Sequence, residues 1–243
     1  GAFKRADSEL TSLGRDLARF PCHPRLARLM LEGAARACLD EATLVAALLS
    51  ERPIMVNQKQ KTPVETGRQK PRRKRDKDTP LQSDLLLLLD ALAAAKNAEF
   101  SIDFCRQEGI HAGAARQVWR SAEHFRDICR RTGITSEEND GNSETALAQC
   151  LLLAMPDHLA CRRDRGSLIC VLRNGRRGEL VRSSVVRDAD LLVACEIREV
   201  SGSGKTTKTL LSMACAVRAE WLDQMFPDAW EFESETVWNE SRR

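Results

Sequence analysis

Ser143-Glu144-Thr145-Ala146-Leu147-Ala148-Gln149-Cys150-Leu151-Leu152-Leu153-Ala154-Met155-Pro156 is the stretch at which this chain changes character. Ser143 suits the cap of a helix, the alanines and leucines after it are strong helix formers, and Pro156 cannot continue one. Beyond the proline the apolar residues come in short runs. Residues 168–172 and 179–181 flank Arg173-Asn174-Gly175-Arg176-Arg177-Gly178, and Asn-Gly between two such runs signals a hairpin. Residues 191–200 form a further strand, and residues 219–226 a short helix before Pro227. The segment between them reads either as a strand, 208–217, or as part of a longer helix.

Upstream of Ser143 the period is helical. Pro24 fits the first position of a helix whose apolar stripe is Leu26, Leu29, Met30 and Leu31, loosened at Gly33. Asp40 or Glu41 is expected to cap the next helix, which buries Leu44, Val45, Leu48 and Leu49 and is closed by Pro53. Ser83 is expected to cap a helix over 84–98. A short segment over 100–105 leads to another helix over 112–131, stopped by Gly133. The fold class is therefore α+β, with a helical part first and a small antiparallel β part second.

The chain has 243 residues, 42% of them apolar and 30% charged, as a folded globular protein does. No apolar run approaches the roughly 18 residues of a membrane helix. The start lacks the apolar stretch of a signal peptide, so no membrane partner and a cytoplasmic location are expected. The formal charge of +3 conceals an asymmetry. Residues 57–79 carry nine Lys or Arg against three acids, a net of +6, which leaves −3 for the remainder. That segment has Val64 as its one large apolar residue, and three prolines fall between positions 63 and 80. It cannot bury enough surface to offset its ordering entropy and reads as a basic linker or insertion over 57–80.

The chemistry-bearing motifs are sparse. Nine cysteines occur without any C-x-x-C, an odd and scattered set that fits small buried side chains better than a disulfide framework or a zinc site. Gly202-Ser203-Gly204-Lys205-Thr206-Thr207 imitates the end of a phosphate-binding loop, but Glu199 stands where its first glycine is required. Asp40-Glu41-Ala42-Thr43 imitates a magnesium-holding motif without the apolar strand that would position it. His23, His111, His124 and His158 are far apart and read as structural or surface residues. No catalytic residue and no metal ligand is assigned.

Leu10-Thr11-Ser12-Leu13-Gly14-Arg15-Asp16-Leu17-Ala18-Arg19-Phe20-Pro21-Cys22-His23-Pro24-Arg25-Leu26-Ala27-Arg28-Leu29-Met30-Leu31 is the most specific stretch in the chain. It resembles the L-T-x-L-G-R-x-(L/M)-A-x-(L/F)-P-x-x-P-R-L-A segment that follows the motor domains of DEAH-box helicases. Leu44-Val45-Ala46-Ala47-Leu48-Leu49-Ser50-Glu51-Arg52 is similar to the bacterial HrpB-like branch. So is Leu151-Leu152-Leu153-Ala154-Met155-Pro156-Asp157-His158-Leu159-Ala160-Cys161-Arg162-Arg163, where His158 replaces the usual Arg. The motor's own phosphate loop and its DEAH sequence are not in this chain.

The resemblance implies an organisation. Residues 1–23 would end a winged-helix-like region, 24–56 and 81–155 would form the helical ratchet-like domain, and 156–243 an OB-like β-rich domain. It also implies an accessory role, as one wall of a single-stranded RNA (or DNA) channel whose opposite wall is the motor of the same parent chain. ATP and magnesium would belong to that parent, with no cofactor in this region. Such a wall needs cations spaced along a groove. The candidates are Arg162 and Arg163 after the helix, Arg173, Arg176 and Arg177 around the hairpin turn, and Arg116 and Arg120 one turn apart on a helix. Arg25 and Arg28 are equally suited to tethering helices through carboxylates. Two other readings remain open at this point: a protein-interaction module docking through the apolar helix at 85–92, and a small P-loop-like nucleotide-binding domain using Lys205.

Overall fold

Thr11 opens the first helix, α1 (Ser12–Leu17), its hydroxyl accepting from the Gly14 amide at 3.0 Å. The computed structural model describes residues 10–56, 81–136, 143–201 and 207–227. The basic segment, Lys205, Trp230 and Trp238 lie outside the described residues. In α2 (Pro24–Ala35) the cap is His23, whose Nδ1 accepts from the Arg25 amide at 3.2 Å, while Pro24 sits where no helical amide is needed. Leu26, Ala27, Leu29, Met30 and Gly33 of α2 face inward.

α3 (Leu39–Ser50) packs closely on α2. A Cβ at Gly33 would lie 2.5 Å from that of Ala42, so the crossing requires glycine. The expected cap differs here. Cys38 holds the cap position without a side-chain bond, and Asp40 and Glu41 lie inside the first turn. Asp40 accepts instead from Arg126 Nε at 2.6 Å, a tie to another helix that no local signal encodes.

α4 (Asp84–Asn97) likewise starts after Ser83, but the serine hydroxyl makes no capping bond. Its backbone is used otherwise, in an antiparallel bridge to Cys215. The short α5 (Ile102–Gln107) precedes α6 (Ala112–Arg131), capped by His111 Nδ1 accepting from the Ala114 amide at 3.1 Å. Ala114, Ala115, Val118, Ala122, Phe125, Ile128 and Cys129 form the buried stripe of α6, and Gly133 ends it with φ +73°. α7 (Ser143–Ala154) is largely buried and packs on α2, α3 and the barrel that follows. No helix among the described residues is long and apolar enough to cross a membrane.

Pro156 ends the helical part as expected, and a single 3-10 turn, Pro156–His158, leads into the strands. These are β1 (Leu159–Arg162), β2 (Ile169–Leu172), β3 (Arg177–Leu180), β4 (Leu191–Ser201) and β5 (Thr207–Val217), followed by α8 (Ala219–Met225). They close a five-stranded barrel in the order β1-β2-β3-β5-β4. Four neighbouring pairs are antiparallel. The fifth, β3 with β5, is parallel, with Glu179 opposite Leu210 and Leu180 opposite Leu211. An expectation of purely antiparallel pairing fails here for a geometric reason: directions cannot alternate around a closed ring with an odd number of strands. The closed five-stranded barrel is otherwise the OB-like unit that was expected.

The barrel interior mixes small residues, among them Ala160, Cys170, Ala194 and Ala214, with Leu172, Leu180, Leu192 and Leu211. Gly178 leaves room for Leu211, whose side-chain carbons would lie 2.8–3.0 Å from a Cβ at that position. Past Leu211, β5 exchanges its partner. Ala216 donates to the Gln82 carbonyl at 2.9 Å and Cys215 faces Ser83, so the segment before α4 takes over the edge that β3 leaves.

The Gly-Lys-Thr run is set in a context that does not suit a phosphate loop. Ser201 and Thr207 are paired across antiparallel strands, and the chain from Thr207 is a strand. A phosphate loop needs a helix N-terminus there. The ambiguous segment 208–217 thus resolves as β5.

Candidate nucleic-acid interface

The hairpin turn between β2 and β3 is built by Asn174, whose Oδ1 accepts from the Arg176 amide at 3.1 Å, and by Gly175 with φ +78°. Leu172 donates to the Arg176 carbonyl at 2.9 Å and closes it. The turn projects Arg173, Arg176 and Arg177, all exposed. It borders a cavity of about 480 Å³ lined by Asp157, His158, Leu172, Arg173, Asn174, Arg176 and Ile197. Arg176 Nη2 is paired with Glu199 and lies 3.4 Å from Thr209 Oγ1. Arg173 and Arg177 have no carboxylate partner among the described residues. Both are therefore available to an anion.

Arg162 is a correction. It is only 6% exposed, and each guanidinium nitrogen donates to a backbone carbonyl. Nε reaches Ala189 at 2.9 Å, Nη2 reaches Val186 at 2.7 Å, and Nη1 bonds Ser167. A side chain so buried and so fully used does not meet a phosphate. It holds the two loops on either side of β1 in place. Along β1 the buried Arg162 alternates with the exposed Cys161, and the strand ends there. Arg163 is exposed, with Asp164 at 3.7 Å.

Arg116 and Arg120 share an exposed face of α6, and neither lines the cavity at the hairpin. The Arg116 guanidinium lies 5.7 Å from the Phe100 ring centroid, and Lys96 Nζ lies over both Phe100 and Trp119, 5.9 and 5.2 Å away. These contacts fix the arginine against the helical body. The seven arginines are thus split: four exposed on the barrel, two on α6, and one buried.

A second cavity of about 560 Å³ opens where α2, α3, α6 and α7 meet β4 and β5; Arg25, Glu51, Met155, Glu196 and Met213 are on its lining. Arg25 belongs to this cavity and His158 to the one at the hairpin, and the two residues touch. Arg25 Nη1 lies 2.6 Å from His158 Nε2, and its Nη2 lies 2.5 Å from Asp157 Oδ2. His158 Nδ1 is 2.9 Å from the Ala194 carbonyl. A carbonyl only accepts, so Nδ1 carries the proton and Nε2 accepts from the guanidinium. Burial, then the Arg25 charge, holds the His158 pKa below its ordinary 6.5. Arg25 is thereby a tether, between α2 and the entry to β1. Arg28 pairs with Glu32 on its own helix.

Sequence reasoning missed the tie at the other end of the barrel. Asp84 Oδ1 accepts from Ser184 Oγ at 3.0 Å and from the Val185 amide at 2.8 Å, and Oδ2 accepts from the Ala214 amide at 2.9 Å. Gln82 Oε1 accepts from the amides of Arg187 and Asp188 at 3.0 and 3.2 Å. The only local signal was an Asp at a helix start, which does not reveal partners a hundred residues away.

Comparison with known proteins agrees with this architecture. Residues 23–88 match the model of the helicase associated domain (HA2), ratchet-like. The chain is similar to the probable ATP-dependent RNA helicase DHX40 of Homo sapiens, 24% identical over 246 aligned positions, covering 96% of this chain. It is similar to the ATP-dependent RNA helicase DHX33 of Mus musculus, 22% identical over 232 positions and 94% of this chain. It is also similar to the ATP-dependent DNA/RNA helicase DHX36 of Bos taurus, 28% identical over 142 positions and 56% of this chain. It spans 30% and 31% of the length of the first two. With residues 23–88 matching the ratchet-like helicase-associated domain and most of its length aligning with ATP-dependent RNA helicases, the chain is similar to the C-terminal region of DEAH-box helicases.

Proposed function

We propose that this region forms one wall of a single-stranded RNA channel in an ATP-dependent helicase of the bacterial HrpB-like branch, and that it hydrolyses no ATP by itself. The observation that carries the reading is the exposed arginine set of the β2–β3 turn, Arg173, Arg176 and Arg177, beside a 480 Å³ cavity. Arg163 adds an exposed cation at the other end of β2, and Arg116 and Arg120 offer a separate stripe on α6. Phosphates attract such cations without base reading, so binding is sequence-tolerant and salt-sensitive. The parent's motor domains supply the opposite wall, together with ATP and magnesium, in the cytoplasm. Single-stranded DNA is the variant substrate of the same chemistry.

The competing readings have less support. The apolar helix proposed to dock a protein is α4, and it already packs on α3, α6 and β5, with Leu85 and Leu92 fully buried. The nucleotide-binding reading lacks a helix after Thr207.

Fluorescence anisotropy with a labelled oligouridylate tests the proposal. Weak binding is expected, with log affinity falling against log salt by about 0.7 per phosphate contact. Changing Arg173 and Arg177 together to Ala should flatten that slope and weaken all sequences alike. If deletion of 59–77 abolishes binding while the double variant binds normally, the wall assignment is wrong and the basic segment is the RNA-binding element. RNA-stimulated ATP turnover lost in Lys205→Ala would overturn the absence of ATPase activity.

A further inference from the structure

Cys38 and Cys150 are 112 positions apart in sequence, yet their sulfurs are 3.7 Å apart inside the helical layer. Cys38 sits in the connection between α2 and α3, and Cys150 lies in the middle of α7. Neither belongs to the arginine surface or to either cavity described above. We propose that Cys38 and Cys150 are a peroxide-oxidisable dithiol, closing a reversible disulfide that clamps the α2–α3 connection to α7.

Two thiols in van der Waals contact need a shift of under about 2 Å to reach bonding distance, less than one side-chain rotation supplies. The pair is chemically unequal. The Cys38 thiol is held below its ordinary pKa, chiefly by its hydrogen bond with Cys150, against burial and the Glu41 charge. Cys150 is pushed up by that same bond and by burial. Cys38, in the connection between helices beside the half-buried Arg36 and Ala37, is the nucleophile, and Cys150, fully buried within α7, is the resolving thiol.

The chemistry balances with a peroxide as oxidant. The Cys38 thiolate attacks one oxygen of hydrogen peroxide, the O–O bond breaks, and the departing hydroxide leaves as water after taking a proton. Cys150 then loses its proton and attacks the Cys38 sulfenic sulfur, forming the S–S bond and releasing a second water. Overall, two thiols and one peroxide become a disulfide and two waters.

Access is the step that the fold must permit. Cys38 is 2% exposed, but the residues before it, Arg36 and Ala37, are half-buried at the surface. Ala37 holds a left-handed backbone, φ 53°, which an alanine adopts at a cost that glycine avoids. The connection carrying Cys38 is thus one of the strained points of the helical layer, with Glu99 and Phe100 as another, and its opening admits a small oxidant. The inference is independent of the RNA-channel reading.

The test uses the full chain with Cys161→Ser, which removes an exposed thiol and touches neither partner. After hydrogen peroxide treatment under non-denaturing conditions, intact mass should fall by two hydrogens. Peptide mapping without reductant should recover one linked pair, Cys38 with Cys150, reversed by dithiothreitol. Tm should rise by about 5 °C or more, because the bridge closes a long loop in the unfolded chain. Cys150→Ser should retain sulfenic acid at Cys38, captured by dimedone. If both cysteines are alkylated as free thiols after peroxide treatment and unfolding, or if another pair dominates the map, the proposal is overturned; neither readout depends on a variant at the pair folding.

Discussion

Changing Asp84 to Ala removes the acceptor for one hydroxyl and two barrel amides, at 3.0, 2.8 and 2.9 Å. Hydrogen bonds to a charged partner contribute about 1.5–3 kcal/mol each. Asp84 is half-buried, so water can replace part of what is lost and the low end applies. We expect a loss of about 4 kcal/mol for Asp84→Ala, a Tm fall of roughly 10 °C at this chain length. Asp84→Asn separates charge and geometry. Its carbonyl oxygen can still serve Ser184 and Val185, but its NH₂ group then faces the Ala214 amide, donor against donor. About 2 kcal/mol is expected for that variant. Urea denaturation followed by far-ultraviolet circular dichroism measures both, and hydrogen exchange at the Val185 and Ala214 amides locates the effect. A cost below about 1 kcal/mol for Asp84→Ala, or unchanged exchange at those amides, would refute the role of Asp84 as the tie between α4 and the barrel.

Gly178→Ala should destabilise by about 2 kcal/mol, read by thermal melting, because Leu211 is fully buried and cannot retreat from the added methyl. Arg162→Met should cost about 3 kcal/mol in urea titrations, since three carbonyls lose their donors, while the RNA salt slope of the folded variant stays unchanged. Stability should also fall with acid through His158. Its folded pKa is depressed, so its contribution is present above the unfolded value near 6.5 and is lost as pH falls below it. Comparing unfolding at pH 7.5 and about 5.5 in the native chain and in His158→Gln isolates that part; an equal pH slope in both contradicts it.

Much of the helical layer was readable locally. Pro24, Gly133 and Pro156 act where chain-local chemistry requires, and the extent of α6 over 112–131 agrees with the expected span. The Asn174-Gly175 turn was legible for the same reason, since the asparagine bonds a neighbour two residues on. So the hairpin arginines could be named in advance.

What the residues could not reveal concerns direction and distant partners. Arg162 ends β1 and Arg163 follows it, and the two are told apart only by which one the loops at Ser167, Val186 and Ala189 enclose. Asp40 and Ser83 were expected as helix caps and Asp84 as a first helical residue, yet the tertiary fold turns Asp40 to Arg126, Ser83 to a strand bridge and Asp84 to the barrel amides. Cys38 and Cys150 meet only because α2, α3 and α7 pack together. The parallel β3–β5 pair arises from closing five strands into one ring, a property of no single segment. Sequence by itself located most of the helices and the hairpin turn, because those choices depend chiefly on neighbours a few residues away. Only the tertiary structure decided which arginines are free to meet a phosphate, because that depends on carbonyls and carboxylates brought up from elsewhere in the chain.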